Sequence, residues 1–318
     1  LLVMSCDRLP FVRRGRSTLL GLLRSRGRRS PVGWLERKRN PGCPIEAVAR
    51  AAADKSPRAG LEIIGYDPPM EPNSLYDRPD LYDLMAPPNA MLERFYVEIA
   101  RERGRRVLDL ACGSGRLTIP LAQAGLEVVG ADLSSAMLER ARNHARAQSV
   151  EPGFAQVDMR DFDLGGRTFD TIIVAMNSVL HLHSLDDFKG FFGSVGKHLS
   201  PNGRLVFDAF LPNIAMLNAD PDKRELIGTV VHDDLGMITI EETARYDPLA
   251  QVRHVEWYWS SETETDFWRV KLPMRSIFPQ EMPLLIASGG LGLIARFGDF
   301  DHSPLTAGSM RQICLCGL

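Results

Sequence analysis

From residue 106 to 209 short apolar runs alternate with amphipathic helical stretches. Short apolar runs at Arg106 to Ala111, Glu127 to Ala131, Phe154 to Val157, Thr171 to Ala175 and Arg204 to Ala209 are separated by stretches of helical periodicity at Arg116 to Gln123, Ser135 to Gln148 and Leu185 to Leu199. Strand and helix in alternation bury their apolar surface together only when the strands run parallel and helices cover both faces of the sheet. The expected class is therefore α/β, a doubly wound and mostly parallel sheet.

Past Leu211 the alternation stops. Residues 226 to 273 read as antiparallel strands, with a turn at Tyr246-Asp247-Pro248 and a period-two apolar face of Val255, Trp257 and Trp259. Three of the four tryptophans, Trp257, Trp259 and Trp268, fall there. Their concentration outside the parallel core points to a lid or a homodimer interface, because Trp suits a surface that is buried part of the time. A helix (Gln280 to Ala287) and strands at Leu291 to Phe297 and Gln312 to Leu315 then bring the expected main sheet to seven strands, with an antiparallel β insertion. Upstream, Leu75 to Arg103 has helical periodicity broken at Pro87-Pro88, and Pro41 to Pro69 reads as linker or weak helix.

Charge divides the chain. Residues 1 to 40 hold eleven Lys/Arg against Asp7 and Glu36, a charge of +9 that leaves -11 for the rest of a chain whose net charge is -2. An Arg-rich leader suits a transit peptide or a nucleic-acid arm, but the chain opens on Leu1, which favours upstream translation or a fragment edge, with Met70 one candidate start. No apolar run approaches the ~20 residues of a membrane span, so no membrane partner is expected. Five scattered cysteines without a C-x-x-C pair argue against a disulfide framework and a zinc site, and for a cytoplasmic setting. The expected plan is a basic leader (1–55), disordered or not native; a helical cap (56–105); a cofactor-binding core (106–225); the β insertion (226–273); and a C-terminal return to the core (274–318).

The chemistry sits in "RVLDLACGSGRLTIPL" from Arg106 to Leu121: an apolar strand containing Asp109, then Gly113-Ser114-Gly115, then an amphipathic helix. Glycines let the backbone turn tightly and let a ligand approach without a Cβ in the way. The next strand ends in Asp132, 17 residues after Gly115, where a carboxylate accepts hydrogen bonds from both hydroxyls of a ribose. A dinucleotide site wants a third glycine to hold a pyrophosphate at the helix N-terminus, and Leu117 and Thr118 stand there instead.

These residues resemble the class I S-adenosylmethionine (SAM) dependent methyltransferase family. The resemblance runs from about Leu75 to the C-terminus and includes "LSPNGRLVFD" at Leu199 to Asp208. It implies SAM as cofactor on a Rossmann-like sheet. It also implies that Asp109 helps hold the amino-acid end of SAM, that Asp132 with Leu133 meets the ribose, and that Asp158-Met159 clamps the adenine. Met176 and Asn177 after the fourth strand, and Tyr76 in the helix that covers the cofactor, complete the implied binding set. "LYDLM" at Leu81 to Met85, "MRDFDLGGRTFD" at Met159 to Asp170 and "NSVLHL" at Asn177 to Leu182 are similar to small-molecule N-methyltransferases, among them enzymes of aminosugars.

His181 and His183 alternate around Leu182 beyond the fourth strand, at the carboxyl edge where doubly wound sheets bind ligands. His181 matches a pocket histidine of the aminosugar enzymes and is expected to act as a base of near-neutral pKa, with Tyr82 shaping the methyl channel. No histidine stands at metal-ligand spacing, so no metal is expected. Gly298 to Thr306, "GDFDHSPLT", reads as a hairpin loop in which Asp301 or His302 is a weaker candidate for substrate contact. The expected function is methyl transfer to a small-molecule acceptor, an amine among the candidates; the alternative is a non-catalytic SAM-binding or interaction protein. A nucleic-acid methyltransferase would show N/D-P-P-Y/F where this chain has Ala175-Met176-Asn177-Ser178, and the -11 body disfavours a polyanion.

Overall fold

A computed structural model describes residues 74–318. The basic leader, Cys6, Cys43, Met70 and the first part of the cap lie outside the described residues. The seven-stranded sheet has the order β10-β11-β5-β4-β1-β2-β3. Its strands are β1 Arg106–Leu110, β2 Glu127–Asp132, β3 Gly153–Gln156, β4 Phe169–Val174, β5 Leu199–Phe210, β10 Gly292–Phe297 and β11 Arg311–Gly317. β1 pairs in parallel with β2 and β4, β4 with β5, and β2 with β3, whereas β11 runs antiparallel to both β5 and β10. The mostly parallel α/β expectation holds. Central strands have both faces covered, which is why they read as continuous apolar runs rather than alternating ones.

The helices are α1 Pro79–Met85, α2 Ala90–Arg101, α3 Thr118–Gln123, α4 Ser135–Ala147, α5 Leu185–His198, α6 Ile214–Leu217 and α7 Met282–Ser288, with 3-10 turns at Leu75–Asp77 and Ser178–His181. Two apolar layers fill the space on the sheet's two faces. One gathers Phe188, Phe191 and Phe192 of α5 with Leu205 and Phe207; the other gathers Phe95 and Tyr96 of α2 with Leu121 and Val206. Strand order reverses between β1 and β4, the switch point at which open parallel sheets leave a crevice beyond their carboxyl ends.

A second sheet of four antiparallel strands, β6 Glu225–His232, β7 Gly236–Asp247, β8 Val252–Ser261 and β9 Trp268–Arg275, follows β5. Its inner face packs Trp257, Trp259 and Trp268 against Leu75 and Leu81 of the N-terminal segment. The tryptophans therefore form a third core within the chain, at 2%, 0% and 8% exposure, rather than a surface held ready for a partner. The turn expected at Tyr246-Asp247-Pro248 comes later: β7 continues through Asp247, whose Oδ1 accepts from Leu249 N (2.8 Å) and Ala250 N (3.1 Å), so the chain reverses over 248–251. A side-chain acceptor that bonds two residues ahead shapes a turn locally. The helix expected from Arg116 starts at Thr118, because the glycine turn before it holds left-handed backbone at Gly113 (φ 54°) and Gly115 (φ 89°).

Candidate active site

β1 delivers Asp109 to the crevice floor, buried, with Oδ2 accepting from Thr118 Oγ1 at 2.5 Å. Burial pushes its carboxyl up to about 7, against the lowering effect of that hydrogen bond. The Gly113–Gly115 turn folds over it. A Cβ on Gly115 would stand 3.2 Å from Ala141 Cβ of α4, which explains the glycine there. Asp132 ends β2 and accepts from Gly113 N (Oδ2, 2.8 Å) and Ser134 N (Oδ1, 2.9 Å). Burial raises its pKa while these amides oppose the rise. Each oxygen keeps a lone pair for a further donor.

The N-terminal segment closes over this turn. Ser114 Oγ donates to Asp83 Oδ1 (2.6 Å) and Arg140 Nε of α4 to Asp83 Oδ2 (2.8 Å), so one carboxylate ties α1 to the glycine turn and to α4. Ser134 Oγ donates to Tyr76 O at 3.0 Å. Tyr82 Cε1 lies 4.0 Å from where a Cβ of Gly113 would be, so the ring covers that glycine. The Tyr76 and Tyr82 rings stand 5.9 Å apart, and Tyr76 OH hydrogen-bonds His181 Nε2 at 2.7 Å. Burial raises both phenols, Tyr82 to about 12.

Burial also lowers the His181 imidazole to about 4, with His183 beside it acting in the same direction. The expectation of a near-neutral base is corrected here: His181 is neutral at ordinary pH but a weak proton acceptor, because nothing anionic offsets its loss of solvent. His183 turns the other way, its Nε2 bonded to Pro273 O of β9 at 3.1 Å.

The turn after β4 carries consecutive non-glycine residues with left-handed backbone, Met176 (φ 57°) and Asn177 (φ 66°), a conformation that costs energy and needs support. Buried Asp208 of β5 supplies it, accepting from Met176 N (2.8 Å), Asn177 N (3.2 Å) and Tyr96 OH (2.5 Å). Asn177 Oδ1 accepts from Phe210 N at 2.8 Å, so this side chain braces β5.

Between these elements lies a cavity of about 340 Å³, lined among others by Tyr82, Asp109, Gly113, Arg116, Met176 and Ser178. Arg116 is the residue the sequence reading left out. Its Nη1 meets Met176 Sδ at 3.4 Å, while Nε and Nη2 are buried without a partner among the described residues. Burial lowers its pKa. One cleft thus presents an acid and a guanidinium with two nitrogens left without a partner among the described residues. The only sequence signal was a charged residue directly after G-S-G.

Of the other predicted residues, Asp132 adjoins this cavity through Gly113, whereas Tyr76 and His181 pair with each other, the Tyr76 ring 5.9 Å from that of Tyr82, and do not line it. Leu133 is 47% exposed, and Met159 packs against the core. Asp158 is engaged by Arg160, whose Nη2 lies 2.6 Å from Oδ2, and that pairing lowers its pKa against desolvation. Gly115 N turns back to Cys112 O. The Gly298 to Thr306 loop packs on α2, with Phe300 and His302 5.7 Å and 4.7 Å from the Phe95 ring, and lines neither this cavity nor the one described below.

Residues 107–203 match a family model described as a methyltransferase domain. Over that span the chain is similar to methyltransferase domains. A putative methyltransferase of Bacillus subtilis is 38% identical over 114 residues, 36% of this chain and 45% of that protein. A ubiquinone biosynthesis O-methyltransferase of Mesorhizobium japonicum is 37% identical over 100 residues, 31% of this chain and 39% of that protein. The chain thus spans less than half the length of these curated relatives. Among solved structures, the methyltransferase CcbJ of Streptomyces caelestis is 26% identical with a TM-score of 0.64, covering 76% of this chain and 97% of its own. The sugar N-methyltransferase KedS8 of a Streptoalloteichus species, 20% identical with a TM-score of 0.58 over 76% of this chain and 92% of its own, shares the fold of the methyltransferase domain. Among the described residues no helix is long and apolar enough to cross a membrane, and no cluster of metal-ligating side chains occurs.

Proposed function

We propose that the protein transfers the methyl group of SAM to a small-molecule amine. The observation that carries this reading is the presence, in one cleft at the β1/β4 switch point, of the buried Asp109 carboxyl and the Arg116 guanidinium, two of whose nitrogens lack a hydrogen-bond partner among the described residues. Those two groups are complementary to the ammonium and carboxylate of the amino-acid tail of SAM. Asp132 receives the ribose hydroxyls on its remaining lone pairs, with Asp158 and Met159 toward the adenine, and Met176 closes the tail cleft.

When bound, SAM supplies an electrophilic methyl on a sulfonium. The chain's residues then bind, orient and exclude water. Tyr82 covers the glycine turn, and its ring face favours a nearby positive charge. Asp83 and Ser134 hold this segment closed through the contacts to Ser114, Arg140 and Tyr76. Alignment of nucleophile and methyl contributes on the order of 7 to 11 kcal/mol in favourable cases.

The low basicity of His181 favours an amine over a hydroxyl. A hydroxyl must lose its proton as it attacks, and an imidazole at about 4 beside phenols raised by burial is poorly suited to take it. A neutral amine attacks with its own lone pair and loses its proton afterwards. His181, paired to Tyr76, then orients the acceptor. The test is calorimetry with S-adenosylhomocysteine, followed by a screen of amines and matched alcohols for release of S-adenosylhomocysteine. Amine-dependent release supports the reading. Tight cofactor binding with no release from any amine favours a non-catalytic SAM-binding protein, and alcohol-dependent release overturns the amine assignment.

A further inference from the structure

A second cavity of about 350 Å³ opens on the other side of the Ser178–His181 turn, with Leu180, Phe210, Met216 and Met274 as apolar walls and Arg253 and Arg275 as its charged ones. Ser178 lines the cofactor cavity and Leu180 lines this one. Two residues of 3-10 helix advance about 4 Å, so one turn separates the spaces. The cavity also lies at the carboxyl end of β5, the edge at which parallel sheets meet their ligands.

The two arginines differ. Arg275 is spent: Nη2 donates to Glu281 at 2.6 Å, and Nη1 faces Gln251 O and Ser276 O. Arg253, on the inner face of β8 and 7% exposed, gives Nη2 to Glu242, whose other oxygen accepts from Trp257 Nε1 at 2.9 Å. Its Nε is buried with no partner among the described residues. A buried N–H left unpaired costs about 1 to 3 kcal/mol, more when the group is charged, and native structures seldom keep one without a ligand, water or function. Glu242 and Trp257 hold the guanidinium in place, and Arg253 stands at the wall of a cavity whose other charged side chain, Arg275, already has its partners.

We propose that this cavity is the acceptor pocket and that Arg253 receives an oxyanion of the acceptor, a carboxylate or a phosphate, at the end of the molecule away from the methylated nitrogen. The apolar walls take the body of such a molecule, and the Ser178–His181 turn brings its amine to the cofactor side. The assignment rests on the methyl-transfer reading for its orientation, but anion binding in the cavity is measurable without turnover.

The experiment uses the full chain with and without saturating S-adenosylhomocysteine. Three probes are compared by saturation-transfer NMR: 4-aminophenylacetate, 4-aminophenyl phosphate and the neutral 4-aminophenylacetamide. Binding of an anionic probe at least tenfold tighter than the amide supports the proposal, and the stronger of the two anions identifies the oxyanion. Met216→Trp fills the cavity without touching Arg253 and should abolish binding of all three while S-adenosylhomocysteine affinity stays within twofold. Arg253→Lys keeps the charge but loses Nε and the planar fork, and should reduce the preference for the anion below threefold. Equal affinity for amide and anions, or unchanged anion binding in Met216→Trp, overturns the proposal. Failure of S-adenosylhomocysteine to bind while the anion preference persists overturns the cofactor reading instead.

Discussion

The two sheets use buried polar groups in opposite ways. In the parallel sheet, Asp109, Asp132 and Asp208 stand at or near carboxyl strand ends and take their hydrogen bonds from turns and helices: Thr118 Oγ1, the amides of Gly113 and Ser134, the amides of Met176 and Asn177, and Tyr96 OH. In the antiparallel sheet, Glu242, Arg253 and Trp257 bond to one another across neighbouring strands, inside an apolar face. Carboxylates of the first kind shape loops and keep lone pairs for a ligand. Those of the second fix a register and orient one cation. Cofactor affinity should therefore respond to the first sheet, and wall chemistry to the second.

The largest effect is expected from Asp208→Ala, which strips the acceptor from three buried donors and leaves the left-handed Met176-Asn177 turn unsupported. Urea denaturation should show a loss of about 3 to 5 kcal/mol. A loss below about 1 kcal/mol would mean that the turn holds itself.

Next is Asp132→Ala, which should weaken S-adenosylhomocysteine binding by about 3 kcal/mol or more, since two charge-assisted hydrogen bonds of roughly 1.5 to 3 kcal/mol each are at stake. Unchanged calorimetric affinity in a folded variant would break the ribose assignment.

Arg116→Met sharpens the tail assignment. Affinity for S-adenosylhomocysteine should fall by about 2 kcal/mol while that for 5′-methylthioadenosine, which lacks the amino-acid tail, holds. An equal fall for both ligands would make Arg116 a structural support.

The pH dependence of binding is smaller. Asp109 titrates near 7 in the free protein and must be ionised to pair with an ammonium. Affinity should level off above about pH 7 and fall by up to tenfold, about 1.4 kcal/mol, per unit below it, and Asp109→Asn should flatten the profile. For folding the sign is opposite: a raised pKa means the native state holds the proton more tightly, so this group's contribution is full below 3.8 and is lost as pH rises through about 7. For His181 the lowered pKa means stability present above 6.5 and lost as pH falls toward 4.

The smallest effect on the cofactor tests the contrast from the other side. Trp257→Phe removes one donor from Glu242 and should cost about 1 to 2 kcal/mol of stability, yet leave S-adenosylhomocysteine affinity within twofold. A large loss of affinity would show that the antiparallel sheet governs the cofactor cleft directly.

Much of the parallel sheet was legible in the sequence. Asp109, Gly113, Gly115 and Asp132 occupy fixed offsets along one strand-turn-helix-strand unit, and local backbone geometry places them at the carboxyl edge of the sheet. The apolar face of β8 was legible for the same reason, since period two is a property of a single strand. Three things were not. The Arg116 pairing deficit, the Asp208 support of the Met176-Asn177 turn and the Arg253 donor edge each depend on which groups from distant elements arrive beside a side chain, or fail to. So does the acidity of His181: its identity and position after β4 are in the sequence, but its imidazole falls to about 4 because burial by its surroundings excludes water, with His183 beside it acting in the same direction. Sequence periodicity reports how a residue is oriented on its own element, and only tertiary packing decides whether its charge and hydrogen bonds are met there.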